Sequence, residues 1–160
     1  MTVEITTPSD REVTITRVFN APRQLVWDAH TKPDLLRRWF GPPSWTLTEC
    51  RVDLRPGGEW RYVMEKDTGE KMGLGGIFSE ILAPARMVTS ETFDDPWYEG
   101  SATDTSTFTE HDGKTTLAVT VLYDSKEIRD MNISTSGMTD GMELAYVRLD
   151  EVLPSLVSAR

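Results

Sequence analysis

The sequence predicts an α+β fold in which a curved antiparallel sheet of about seven strands wraps round a long C-terminal helix. Residues 44–123 alternate apolar and polar side chains with a period of two, and turn-forming residues interrupt them at regular intervals. Beyond Asp124 the apolar residues recur every three or four positions, from Met138 to Leu156, as on one stripe of a helix. A meander followed by one broad-faced helix predicts a sheet that is covered on one face.

The individual elements follow from local signals in chain order. Residues 11–20 alternate and are rich in β-branched side chains, which predicts the first strand. Two short helices follow, each with a proline suited to a first turn, and they are expected to end near His30 and Trp39. Pro154 is expected to end the last helix. The six strands of the meander are expected near residues 44–54, 58–66, 71–82, 86–94, 102–111 and 114–123.

The 160 residues are expected to form a single domain over residues 11–157. A chain of this size buries on the order of two-thirds of its unfolded surface, which is enough for one core. Residues 1–10 show no useful periodicity and are expected to be a flexible N-terminal arm, with a short strand as the alternative. Neither a signal peptide nor a membrane-spanning run is recognisable, so we expect a cytoplasmic protein.

The charge balance excludes two classes of partner. Seventeen Lys and Arg stand against 26 Asp and Glu, and the formal net charge of −9 repels phosphate backbones and anionic lipid. We therefore expect neither nucleic acid nor a membrane surface as a partner. The chain has two histidines, a single cysteine, Cys50, and no His-x-His, His-Glu-x-x-His or Cys-x-x-Cys motif, so no metal and no cofactor are predicted.

Aromatic and methionine residues concentrate on the inner faces of the predicted strands, on the short helices and near the mouth of the sheet. They predict either a filled core or a cavity lined by aromatic rings between the sheet and the last helix. Methionines would let such a cavity adapt to several ligands. The candidate ligand-binding residues are Trp39, Phe40, Trp60, Tyr62, Met64, Phe78, Phe93, Trp97, Met138, Met142 and Tyr146.

No established catalytic constellation occurs in the sequence, and no residue is assigned as catalytic. Three charged residues are nevertheless candidates. Glu91 shares strand parity with Met87 and Phe93, and Glu143 lies beside the inner stripe of the last helix, so either carboxyl group could face the cavity with a raised pKa. Arg17 is on the inner parity of the first strand and is the candidate partner of such a carboxylate. The alternative for each residue is an exposed, purely structural role.

Several short motifs connect the chain to a known family. In order they are Arg17-Val18-Phe19-Asn20-Ala21-Pro22, Val26-Trp27, Thr31-Lys32-Pro33, Trp39-Phe40-Gly41-Pro42 and Asp53-Leu54-Arg55-Pro56-Gly57-Gly58-Glu59-Trp60. Gly76, Glu80-Ile81, Pro84 and the pair Gly137 and Gly141 complete the set. With these motifs the chain resembles the activator of Hsp90 ATPase homologue 1-like (AHSA1-like) family of the START-like, or Bet v 1-like, superfamily (SRPBCC).

The resemblance covers residues 11–156 and implies a helix-grip fold, in which a cavity between sheet and long helix holds a small apolar or aromatic molecule. The superfamily includes lipid carriers, hormone receptors, polyketide cyclases and a chaperone cofactor. We therefore expect noncatalytic binding of a small hydrophobic or aromatic molecule, with a stress-related role. The alternatives are an Hsp90-type chaperone partner and an enzyme of the cyclase or hydrolase type. The protein is expected to be a monomer or a homodimer.

Overall fold

The computed structural model describes residues 3–41, 43–95, 100–135 and 138–158, without the side chains of residues 135, 138–140 and 158. Within these residues all strands join one antiparallel sheet. The strands are β1 (Glu4–Thr6), β2 (Glu12–Phe19), β3 (Trp45–Val52), β4 (Glu59–Lys66), β5 (Lys71–Leu82), β6 (Arg86–Phe93), β7 (Ala102–His111) and β8 (Lys114–Leu122). The helices are α1 (Arg23–Thr31), α2 (Pro33–Trp39), α3 (Lys126–Thr135) and α4 (Met138–Ser158).

The predicted α+β fold is confirmed, and the sheet has the strand order β1-β2-β8-β7-β6-β5-β4-β3. Residues 4–6 add an edge strand, so the short strand considered as an alternative for the N-terminal arm is present. The prediction that Pro154 ends the last helix is wrong, because α4 continues to Ser158. Pro154 lies close to the helix end, where its missing N–H leaves only the carbonyl of Asp150 without an intrahelical partner.

The sheet bends where β5 passes between β4 and β6. A Cβ atom at Gly76 would overlap the carbonyl oxygen of Ser90 on β6, so only glycine allows the two strands to approach this closely. The register of β5 against β6 also shifts between Phe78 and Glu80, as at a β-bulge. These irregularities curve the sheet round its inner face.

The helices cover the inner face and meet it through aromatic side chains. Tyr146 on α4 packs its ring edge-on against Phe19 of β2, with 5.1 Å between ring centroids, and lies 5.9 Å from Trp39 of α2. Phe108 on β7 contacts Trp27 of α1 at 5.2 Å. These rings are all buried. They join helices and sheet into one core and hold the short helices over β4–β7.

An ion pair connects β2 to α4 inside this core. Arg17 is 3% exposed, and its two terminal nitrogens donate to the carboxylate oxygens of Asp150 at 2.8 and 2.6 Å. The guanidinium carbon also lies 4.7 Å from the centroid of the Phe19 ring. The sequence proposed Arg17 as a partner of Glu91 or Glu143, whereas the structure pairs it with Asp150.

Removing Asp150 should therefore destabilise the protein more than removing an ordinary surface charge. Asp150→Ala removes the carboxylate that pairs with the buried guanidinium of Arg17, which we expect to lower the free energy of unfolding by about 2 kcal/mol. The value is below that for a fully buried pair because the Asp150 side chain is 42% exposed and screened by water. Urea unfolding measures this loss of free energy. Glu151→Ala, an exposed neighbour on α4, is the control and should change stability by less than about 0.5 kcal/mol.

Candidate functional site

An inner cavity of about 140 Å³ lies between the sheet and the two short helices. Its sheet wall comes from β4, β5, β6 and β7, and its helical wall from α1, α2 and the residue after α2. The C-terminal helix, expected as the opposite wall, contributes no described lining residue. The lining residues are His30, Leu36, Trp39, Phe40, Trp60, Tyr62, Leu74, Phe78, Met87, Thr89, Glu91, Asp104 and Ser106.

One wall of the cavity is aromatic. The ring centroid of Tyr62 lies 4.9 Å from that of Phe40 and 4.8 Å from that of Trp60. The indole N–H of Trp60 donates to the hydroxyl of Thr89 at 2.6 Å, and that of Trp39 donates to a backbone carbonyl at 2.9 Å. Because the indole N–H groups are satisfied by the protein, the rings present apolar surface to the cavity.

Two carboxyl groups also line the cavity, from Glu91 on β6 and Asp104 on β7. The strands pair Glu91 with Ala102 and Thr89 with Asp104, so the two acids are diagonal neighbours on one face of the sheet. Their side chains are hydrogen-bonded to each other. Two carboxyl groups can do this only when one of them holds a proton.

Burial governs the protonation of this pair. Removal from water raises the pKa of the Asp104 carboxyl well above its usual range, and the charge of Glu91 raises it further. Burial also raises the pKa of Glu91, while the hydrogen bond from Asp104 acts in the opposite direction. When the pair holds a single proton, one carboxyl group donates a hydrogen bond to the other.

His30 on α1 completes the polar lining. Its Nδ1 lies 2.7 Å from the carbonyl oxygen of Val26, which can only accept, so Nδ1 carries the ring proton. Burial lowers the pKa of His30 to about 4, which keeps the ring neutral at pH 7. Its Nε2 is then a hydrogen-bond acceptor, and among the described residues it has no partner. The same is true of Oδ1 of Asp104.

The remaining titratable groups near the cavity stay neutral. Burial raises the pKa of the Tyr62 hydroxyl, and the charge of Glu91 adds to the effect. Burial also raises the pKa of the Cys50 thiol to about 11, so this cysteine is not a thiolate nucleophile at pH 7. Among the described lining residues, the acidic side chains are Glu91 and Asp104.

The structure brings together six of the residues that the sequence proposed for the site. Five are ligand-binding candidates and the sixth is Glu91, on the same inner face of β6 as Met87. They line the cavity from four different elements and from the segment that follows α2. The five are Trp39, Phe40, Trp60, Tyr62 and Phe78.

The other candidates lie elsewhere. Met64 and Tyr146 are buried in the core, and Met142 packs against it. Phe93 lines a groove outside the inner cavity. Trp97 and the side chain of Met138 lie outside the described residues.

Glu143 is also remote from the cavity. Its carboxylate accepts a hydrogen bond from the backbone N–H of Val3 at 3.3 Å and so ties α4 to the N-terminal segment. Helical periodicity placed it beside the inner stripe, but α4 faces α1, α2 and β2 rather than the cavity.

Four polar lining residues were missed: His30, Thr89, Asp104 and Ser106. The signal for Asp104 and Ser106 was available, because they share strand parity with Phe108, which is 1% exposed. A polar residue between buried apolar ones on the inner face of a strand indicates a cavity or a buried network. His30 had no comparable signal.

A second and larger groove, of about 820 Å³, opens on β3–β6 and the 53–57 turn. Its guanidinium groups are paired with carboxylates on the same surface, so the groove offers no unpaired cation among the described residues. We therefore place the candidate site in the inner cavity, where polar atoms lack partners. The pairs in the groove are Arg51–Glu49 (3.4 Å), Arg55–Asp53 (2.8 Å) and Arg61–Asp94 (2.5 Å).

Over the described part of the chain, no three His, Cys, Asp or Glu side chains come together in a way that could hold a metal ion. No helix in the same ranges has the length and apolar character needed to span a bilayer.

Known proteins share this fold and are similar to this chain in sequence. The model of the family described as "Activator of Hsp90 ATPase homolog 1-like protein" matches residues 20–154. A crystal structure of a Rhodobacter sphaeroides protein has a TM-score of 0.91 and 32% identity, covering 97% of this chain and 99% of that one. A Mycobacterium smegmatis protein has a TM-score of 0.81 and 30% identity, covering 94% and 96%. No curated protein matches the chain.

Proposed function

The chain belongs to the activator of Hsp90 ATPase homolog 1-like family, and on this ligand-binding fold we propose that the inner cavity binds a small aromatic molecule. The observation that carries the proposal is the cavity itself, which is lined by aromatic rings and by polar side chains that include atoms without partners among the described residues. Apolar walls with a few convergent polar groups are typical of small-molecule sites.

The volume of the cavity limits the size of the ligand. A dry apolar cavity of roughly 150 Å³ is enough to hold one benzene ring, and the inner cavity has about 140 Å³. A lipid or a multi-ring molecule would require the short helices to move. The proposed ligand is therefore one ring with a short substituent.

Toluene is a suitable probe for this proposal. We expect it to cause saturable NMR chemical-shift changes confined to the lining residues, such as Tyr62 and Phe78. Ser106→Leu fills the cavity from β7 and should abolish the changes. Thr103→Leu adds the same side chain at an exposed position of the same strand and should leave them intact. Absence of saturable shifts in the wild-type protein would contradict the proposal.

The carboxyl pair favours a second function, acid–base catalysis on the bound molecule. Two carboxyl groups that share a proton supply a general acid and a general base at one place, and Glu91 and Asp104 both line the cavity. If so, the protein should accelerate exchange of solvent deuterium into cyclopentanone, and Glu91→Gln should abolish the acceleration. Equal exchange with wild-type protein and without protein would exclude this function for such ketones.

The Hsp90-type partner remains a prediction. It comes from the family resemblance, and the aromatic residues that would serve as contacts, such as Trp97 and Tyr98, lie outside the described residues. The noncatalytic and stress-related role, the cytoplasmic location and the monomeric or dimeric state likewise remain predictions.

A further inference from the structure

We propose that the wall formed by Glu91, Asp104 and His30 binds an ammonium head group, so that the ligands of the cavity are small aromatic amines. The inference rests on the proposed function, because it names the chemical class of ligand for the same cavity. It adds that recognition depends on charge and on hydrogen-bond donors, and not on apolar burial alone.

The first argument is the charge of the wall. Glu91 and Asp104 place two carboxyl groups on this wall, and a cation beside them favours their ionised form. The described lining residues include no lysine or arginine, and the other titratable residues among them, His30 and Tyr62, are neutral. Arg17 and Arg61 are engaged by Asp150 and Asp94 at other places. A buried charge is costly unless it is paired. The protein supplies no cation at this wall, and an ammonium group would.

The second argument is the direction of the free hydrogen-bonding capacity. The Nδ1 proton of His30 is donated to Val26. Two atoms on this wall are buried without a partner among the described residues, Nε2 of His30 and Oδ1 of Asp104, and both can accept a hydrogen bond. A protonated amine has three donors and no acceptor, which matches these acceptors. A carboxylate ligand would add acceptors and a like charge.

The third argument is the aromatic lining of the same cavity. Trp39, Phe40 and Tyr62 present rings to it, and the Trp39 ring centroid lies 4.9 Å from that of His30. Ring faces attract cations, and the attraction is stronger where water is excluded. The aromatic body of an amine would pack on these rings while its head group meets the acceptors.

The test compares benzylamine, toluene and benzoate, which have similar size, by NMR titration at pH 7. We expect benzylamine to bind at least about tenfold more tightly than toluene, as for a hydrogen bond to a charged group. Benzoate should not bind. Glu91→Gln should reduce the preference for benzylamine over toluene about tenfold. Asp67→Asn, which removes one negative charge from the exposed β4–β5 turn, should leave the preference unchanged.

The outcomes separate the two proposals. If toluene binds and benzylamine binds no better, the inference is overturned and the proposed function stands. If none of the three compounds binds, both fail. Should Glu91→Gln not fold, Asp104→Asn provides the same test from the neighbouring strand, and a full preference for benzylamine in that folded variant also overturns the inference.

Discussion

Between pH 6.5 and pH 4, the free energy of unfolding of the wild-type protein is expected to fall by about 3 kcal/mol more than that of His30→Asn. The reason is the burial of the His30 ring, which lowers its pKa from 6.5 to about 4. In this pH range the unfolded chain binds a proton at His30 and the folded chain does not. Acid therefore favours the unfolded state.

The carboxyl pair acts with the opposite sign. Because burial raises the pKa of Glu91 and Asp104, the folded state holds protons at pH values where the unfolded state has lost them. Their contribution to stability therefore decreases as the pH rises above the unfolded pKa values. The pair is present in both proteins, so the difference between wild type and His30→Asn isolates the histidine.

Urea unfolding at pH 7, 6, 5 and 4 measures the effect. Asn is suited to position 30 because its amide N–H can still reach the carbonyl of Val26. His111→Asn is the matched control, since the side chain of His111 is 90% exposed, and it should follow the wild-type pH profile. Parallel profiles for wild type and His30→Asn would show that His30 is protonated equally in both states.

Phe108→Ala should lower the free energy of unfolding by about 4 kcal/mol, the largest loss that we expect from one substitution. Phe108 is 1% exposed and packs its ring edge-on against Trp27 at 5.2 Å and against His30 at 5.6 Å. Truncation leaves a space between β7 and α1. Because both partners are rings fixed by other contacts, this space cannot close without moving the helix.

Chemical unfolding at pH 7 checks this value, with Ile77→Ala as the control. Ile77 lies on β5 and is 50% exposed, so its truncation should cost less than about 1 kcal/mol. A loss for Phe108→Ala as small as that of Ile77→Ala would mean that α1 is not fixed to the sheet through this ring. A loss of native NMR dispersion would instead show that the contact is needed for the fold.

Most of the fold was predictable because its signals are local. The change of period after Asp124 separates the meander from the last helix, and two strands, 71–82 and 102–111, were predicted with their observed bounds. The end of α4 was predicted wrongly, because a proline near a helix terminus removes too little hydrogen bonding to end the helix. The N-terminal strand was predicted only as an alternative, because three residues are too few for a periodic signal.

The aromatic half of the site was also predictable, since large apolar residues on one strand parity must face the covered side. Trp60, Tyr62 and Phe78 line the cavity for this reason. The polar half was not. Whether Glu91 meets Asp104 depends on the register of β6 against β7, and this register is a property of the pairing and not of either strand alone.

The sequence by itself thus determined the class of fold, the order of its elements and which strand faces are covered, because periodicity and turn residues act over a few positions. Only the tertiary structure decided that the described helical lining of the cavity comes from α1 and α2. It also decided that a histidine and two acids from three separate elements share that cavity. Their protonation follows from burial and mutual contact, which no local pattern contains.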